Sequence, residues 1–126
     1  MKIASGIDLV EIERFRQLKP EILKRFFERV YTSAEREHIG ASFERAAGLF
    51  AAKEALVKAL GCGIGPVGWQ EVEIRHQGEG NPVASLHGRA ADLAQEMGIL
   101  DISLSISHTR EHATAVAVAI MEKRGV

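Results

Sequence analysis

Apolar and polar positions alternate along residues 2–10, putting Ile3, Ile7 and Leu9 on one side and Asp8 on the other. That period of two predicts a strand. After Pro20 the period lengthens. Ile22, Leu23, Phe26, Phe27 and Val30 recur every three or four residues, as the buried stripe of a helix opened by proline does. Thr32-Ser33-Ala34-Glu35 has the spacing of a capping box, so another helix is predicted from there. An Ala-rich helix follows over about 45–60, burying Leu49, Ala52, Leu56 and Leu60 and stopping at Gly61.

Past the Gly/Pro stretch 61–68 the period returns to two, with Val72 and Ile74 facing inward and Glu71, Glu73 and Arg75 outward. Gly78-Glu79-Gly80-Asn81-Pro82 predicts a turn into a hairpin partner over 83–86. A short helix over about 88–97 ends at Gly98. Ile102, Leu104 and Ile106 then alternate with Ser103, Ser105 and Ser107. Residues 113–120 are apolar on both faces, the pattern of a central strand covered on both sides. Helices gathered in the first half and strands in the second predict an α+β fold, helices packed on a mainly antiparallel sheet, and not a doubly wound one. No linker or repeat divides the chain, so residues 1–126 are expected to form one domain.

At 126 residues that domain has a modest core and is near the size where partners add stability. The formal net charge of −1 exerts no global pull on nucleic acid, so electrostatic recognition must be local. Arg14, Arg16, Lys19, Lys24, Arg25 and Arg29 do form a local basic cluster. The single Cys62 excludes an intrachain disulfide and fits a reducing compartment. No apolar run approaches ~20 residues and no signal-peptide pattern opens the chain, so a cytoplasmic protein without membrane contact is expected.

Candidate chemistry concentrates in Phe50-Ala51-Ala52-Lys53-Glu54-Ala55-Leu56-Val57-Lys58-Ala59-Leu60-Gly61-Cys62-Gly63. Glu54 and Lys58 stand four residues apart and so share one helical face. A carboxylate able to hold a metal beside a cation able to meet a phosphate suits phosphoryl-type chemistry. The same spacing also describes a solvated surface pair worth only ~0.3–0.5 kcal/mol. Gly61, Gly63 and Gly65 offer backbone N–H groups to a phosphate without forming a P-loop, and helix termination accounts for Gly61 equally well. His38, His76, His87 and His112 show no paired metal spacing, which argues against zinc. Cys62 has no fixed histidine partner in sequence, which argues against a nucleophile there.

Two more stretches extend the pattern: Gly6-Ile7-Asp8-Leu9-Val10-Glu11-Ile12-Glu13-Arg14-Phe15 and Ser105-Ile106-Ser107-His108-Thr109-Arg110-Glu111-His112-Ala113. With 50–63, and in this order, they resemble the three signature blocks of the holo-[acyl-carrier-protein] synthases, a family of 4′-phosphopantetheinyl transferases. Arg25-Phe26-Phe27-Glu28-Arg29-Val30-Tyr31-Thr32 carries the resemblance over nearly the whole chain.

The resemblance implies transfer of phosphopantetheine from coenzyme A to a serine of apo acyl carrier protein, releasing adenosine 3′,5′-bisphosphate, in support of fatty acid biosynthesis. It matches Asp8 and Glu54 to the Mg²⁺ ligands and Lys58 to the cation that neutralises the leaving phosphate. The base for the serine is then Glu54 itself or a water on the metal. It further implies coenzyme contacts from Lys58, Gly61, Arg45, His108 and Thr109, and carrier contacts from Arg14 and Arg25. Short members of the family are homotrimers with sites between subunits, so Asp8, Glu54 and Lys58 are expected from one chain and His108 from its neighbour. Two positions depart from the family pattern: Leu49 stands where an arginine is common, with Arg45 one turn away, and Ala4 replaces the first glycine of the Gly-x-Gly-x-Asp block. A catalytically silent carrier-binding module is the competing class, but it would be expected to lack Asp8, Glu54 or Lys58. A polyketide or peptide-synthetase carrier is the competing substrate.

Overall fold

The computed structural model describes residues 1–77 and 80–122; two turn residues of the expected hairpin, Gly78 and Glu79, lie outside that range. Strand β1 (Lys2–Glu11) leads through a single helical turn, α1 (Glu13–Arg16), to helices α2 (Pro20–Val30), α3 (Ser33–Ile39) and α4 (Phe43–Leu60). A hairpin of β2 (Val72–Gln77) and β3 (Asn81–Leu86) follows, then α5 (Gly88–Met97), β4 (Ile99–His108) and β5 (His112–Met121). β1, β5 and β4 form a three-stranded antiparallel sheet in that order, and β2 with β3 forms a second. The expected α+β class with antiparallel pairing is what the chain adopts.

Local chemistry sets the boundaries. The capping box is complete: Glu35 N–H donates to Thr32 Oγ1 at 3.2 Å and Thr32 N–H to the Glu35 carboxylate at 2.8 Å. Ser42 Oγ accepts from Arg45 N–H at 3.1 Å and starts α4. Gly61 ends that helix at φ +71°, a left-handed conformation that side chains resist.

Helix α4 lies across one face of the main sheet. Ala113, Ala115, Ala117 and Ala119 of β5 turn to it, as do Ala51, Ala55 and Ala59 from the helix, all of them buried. Small side chains let helix and sheet approach closely, closest at Gly6 of β1. A methyl group there would collide with the Ala55 carbonyl oxygen and stand 2.9 Å from Lys58 Cβ.

The opposite face of the sheet differs from expectation. One face of β5 is covered by α4, while Val116, Val118 and Ile120 are half-exposed on the other. Beside them on β1, Ile3, Ile7 and Leu9 are 65%, 65% and 66% exposed. On β1 it is therefore the side carrying Gly6, Asp8 and Val10 that meets the helix.

Two smaller differences concern α2 and β2. Ile22, placed by its spacing in the buried stripe of α2, is exposed. Glu73, placed outward by alternation, is buried. It accepts hydrogen bonds from the Thr32 hydroxyl at 2.7 Å and Arg75 Nε at 3.1 Å, and pairs with His87 Nε2 at 2.9 Å. Burial alone would push its carboxyl up, but Thr32, His87 and Arg75 together hold it down at about 2. Next to it sits an ion pair, Lys53 with Glu35 at 2.8 Å, both side chains 0% exposed. Lys53 Nζ also donates to the carbonyls of Trp69 and Val72, and Ile74 N–H donates to Glu35. This network ties α4 to α3 and to the hairpin.

Candidate functional site

Asp8 is presented by the helix-facing side of β1, and Glu54 and Lys58 by successive turns of α4. The close approach at Gly6 brings the two elements together. Lys58 Nζ donates to the Ile7 carbonyl at 2.9 Å and to Asp8 Oδ1 at 3.2 Å. Asp8 and Glu54 both line a cavity of about 520 Å³ whose remaining wall is largely apolar, with Phe15, Phe26 and Phe50 in it and Arg14 beside them. Burial raises the Glu54 carboxyl above its ordinary range; the Asp8 charge raises it further and Lys58 opposes both. The three residues singled out by spacing and resemblance thus converge on one cavity edge.

Among the described residues no group of three or more His, Cys, Asp or Glu side chains is arranged to hold a metal ion. Two neighbouring carboxylates suit a hard cation that keeps several waters and takes substrate phosphate oxygens, as Mg²⁺ does. The mutual repulsion felt by Glu54 and Asp8 is what such a cation relieves. Asp8 and Glu54 therefore fit the group, with Lys58 as the adjacent fixed cation.

Arg45 and His108 are placed elsewhere. They line a second, smaller cleft of about 120 Å³ together with His38, His76, Glu44 and Ile106, and it shares no lining residue with the first. Arg45 Nη1 donates to the His38 carbonyl at 3.2 Å. His108 Nδ1 lies 3.3 Å from the Thr109 carbonyl, and the Thr109 hydroxyl accepts from the N–H groups of Glu111 and His112, closing the β4–β5 turn. Gly61 follows Lys58 by less than a turn, at the C-terminal end of α4.

Of the basic cluster, Arg14 and Arg25 are exposed on α1 and α2. Arg16, in contrast, is tied to Glu13 at 3.2 Å and Glu44 at 3.3 Å. Cys62 is half-buried with its thiol pushed up by burial, which suits packing and not nucleophilic attack. Sequence reasoning passed over Lys53, whose one signal is its place on the apolar side of an Ala-rich helix, and it weighed His38 and His76 only as metal ligands, without a sign that their rings stack.

The sequence and the fold have known counterparts. Residues 4–117 match the model of the 4′-phosphopantetheinyl transferase superfamily. The holo-[acyl-carrier-protein] synthase of Caldanaerobacter subterraneus subsp. tengcongensis is 42% identical over 123 residues, covering 95% of this chain and 96% of that one. The Moorella thermoacetica protein of the same name is 44% identical over 127 residues, 95% and 94% of the two chains. Among solved structures, the Helicobacter pylori holo-[acyl-carrier-protein] synthase in complex with coenzyme A superposes with a TM-score of 0.83 at 31% identity, over 92% of this chain and 99% of that one.

Proposed function

Since the chain belongs to the 4′-phosphopantetheinyl transferase superfamily and is an enzyme of the holo-[acyl-carrier-protein] synthase type, we propose that it transfers phosphopantetheine from coenzyme A to a serine of an apo acyl carrier protein. The convergence of Asp8, Glu54 and Lys58 at one cavity edge is the observation that carries this reading. In the reaction the serine oxygen bonds to the β-phosphorus of the pyrophosphate, the bond from that phosphorus to the bridging oxygen breaks, and adenosine 3′,5′-bisphosphate departs.

Asp8 and Glu54 are the residues that hold Mg²⁺, which when bound neutralises charge on the pyrophosphate. Lys58, already aimed at Asp8, places a cation where the leaving phosphate gains charge. Burial and Asp8 raise the Glu54 carboxyl, and its carboxylate is assigned to accept the serine proton. Arg14, which lines the aromatic-walled cavity, and Arg25, exposed on α2, are assigned to the carrier's acidic surface.

The site is assembled from two copies of this single-domain chain in a homotrimer. Two features support this: Asp8 and Arg45–His108 occupy separate clefts, and the outer face of β1 and β5 is apolar and uncovered. Gly61 beside Lys58 and Thr109 beside His108 complete the coenzyme contacts. Among the described residues no helix is long and apolar enough to cross a membrane; the transfer reaction itself fits a cytoplasmic enzyme serving fatty acid biosynthesis. Incubating the protein with coenzyme A, Mg²⁺ and apo carriers of fatty-acid, polyketide and peptide-synthetase type, then weighing the carriers, tests it. Holo-carrier should form from the fatty-acid carrier with wild type and not with Asp8→Ala; turnover by Asp8→Ala, or by wild type in excess chelator, would refute the site.

A further inference from the structure

The second cleft holds two groups that the transfer chemistry leaves without a task. His38 on α3 and His76 on β2 stack ring on ring, their centroids 3.8 Å apart and their planes 14° from parallel. Among the described residues, the charged and titratable groups facing them are Glu44 and Arg45 from α4 and His108 from β4, with Gly80 and Pro82 completing the lining beside β3. Glu44 is engaged on its far side, accepting from Ser42 at 3.3 Å and Arg16 at 3.3 Å. The Arg45 guanidinium is held beside the stack by its bond to the His38 carbonyl at 3.2 Å.

Two imidazoles in contact next to a fixed guanidinium resist protonation, because each added charge meets like charges at short range. Burial and then Arg45 lower the pKa of His38; burial, His38 and Arg45 lower that of His76. The empty cleft therefore carries an uncharged pair near neutral pH. A phosphate dianion reverses the balance, since an opposite charge within a few ångströms favours the imidazolium.

We propose that the His38–His76 stack belongs to the coenzyme subsite and captures a proton when the phosphate at the coenzyme's adenosine end enters, so that the cleft gains a positive charge only when occupied. This rests on the assignment of Arg45 and His108 as coenzyme contacts. Stacking lets two rings share one imidazolium without a second charge, which caps the uptake at about one proton. Coenzyme affinity then strengthens as pH falls from about 8 towards 6, by at most about tenfold per unit for one proton taken up.

Isothermal titration of the full chain with coenzyme A at pH 6.5, in two buffers of different ionisation enthalpy, counts the protons taken up. The coenzyme's own phosphate loses protons on binding in every variant, so the difference between wild type and His38→Gln/His76→Gln isolates the stack. That difference should be about 0.5–1 proton per coenzyme, should shrink in each single variant, and should be absent with dephospho-coenzyme A. Equal proton counts in wild type and variants that bind coenzyme A would overturn the inference and leave the coenzyme assignment standing. Unchanged coenzyme affinity in both Arg45→Ala and His108→Ala would overturn the assignment itself, and the inference with it.

Discussion

Replacing Gly6 by alanine perturbs the site without replacing any proposed functional side chain. The added Cβ would overlap the Ala55 carbonyl oxygen and stand 2.9 Å from both Ala59 N and Lys58 Cβ. Ordinary contact between such atoms begins at about 3.5 Å, so β1 must withdraw from α4 by about 1 Å or more. Overpacking of this kind costs about 1–3 kcal/mol. The larger effect should be on catalysis. Asp8 lies two residues along the same strand face, and Lys58 reaches β1 through the Ile7 carbonyl at 2.9 Å. A misplacement of about 1 Å at reacting groups costs on the order of 100-fold in rate. Urea unfolding followed by circular dichroism gives the first number and holo-carrier formation gives the second. Gly40→Ala serves as control: with φ +56° and nothing near the added methyl, it strains only the end of α3, costing about 1–3 kcal/mol, and should leave the transfer rate of the folded protein unchanged. Wild-type stability and rate in Gly6→Ala would show that the strand–helix approach does not set the site.

Other perturbations separate the parts of the molecule. Because the Glu54 carboxyl is raised by burial and by Asp8, protons compete with Mg²⁺ for it, so apparent Mg²⁺ affinity should climb with pH through that raised value and flatten above it. The same raised pKa means the ionised carboxylate opposes folding above it, so Glu54→Gln should unfold at higher urea than wild type at pH 7 while losing transfer; a lower midpoint would contradict the burial argument. Lys53→Met leaves Glu35 buried without its cation and should destabilise by about 3–5 kcal/mol in urea unfolding; wild-type stability in that variant would contradict the role given to the pair. Arg14→Glu with Arg25→Glu should weaken carrier binding strongly while coenzyme affinity holds, and raising salt should weaken the wild-type complex. Identical carrier titrations in the variant would reduce the two arginines to solvated surface.

Which parts of this were legible in the chain follows from how local each signal is. Caps, glycine stops and the two periods depend on neighbours in sequence, and the capping box at Thr32 and the end of α4 at Gly61 fall where those signals put them. Which face of a strand is covered depends on a distant partner. Alternation on β1 separated Asp8 from Ile3, Ile7 and Leu9 correctly, yet the apolar side is the one left open because α4 takes the Gly6 side. Glu73 obeyed the period of two but is buried, since Thr32 and His87 supply its partners from far along the chain. In the site, Glu54 and Lys58 were readable from one helical turn, whereas their meeting with Asp8 crosses some fifty residues. The pairing of Lys53 with Glu35 and the stacking of His38 on His76 are likewise long-range, and no local pattern announces them.

Complementation between two disabled chains tests most directly whether one site draws on two copies. Glu54→Ala removes the carboxylate at the first cavity and His108→Ala alters the second cleft, and each protein alone should form no holo-carrier. Refolded together, the mixture should regain a substantial fraction of wild-type transfer, because some interfaces then unite an intact Glu54 with an intact His108, and light scattering on the gel-filtration peak should give three times the chain mass. An inactive mixture, or a monomeric mass at a concentration where wild type is fully active, would contradict a site shared between subunits.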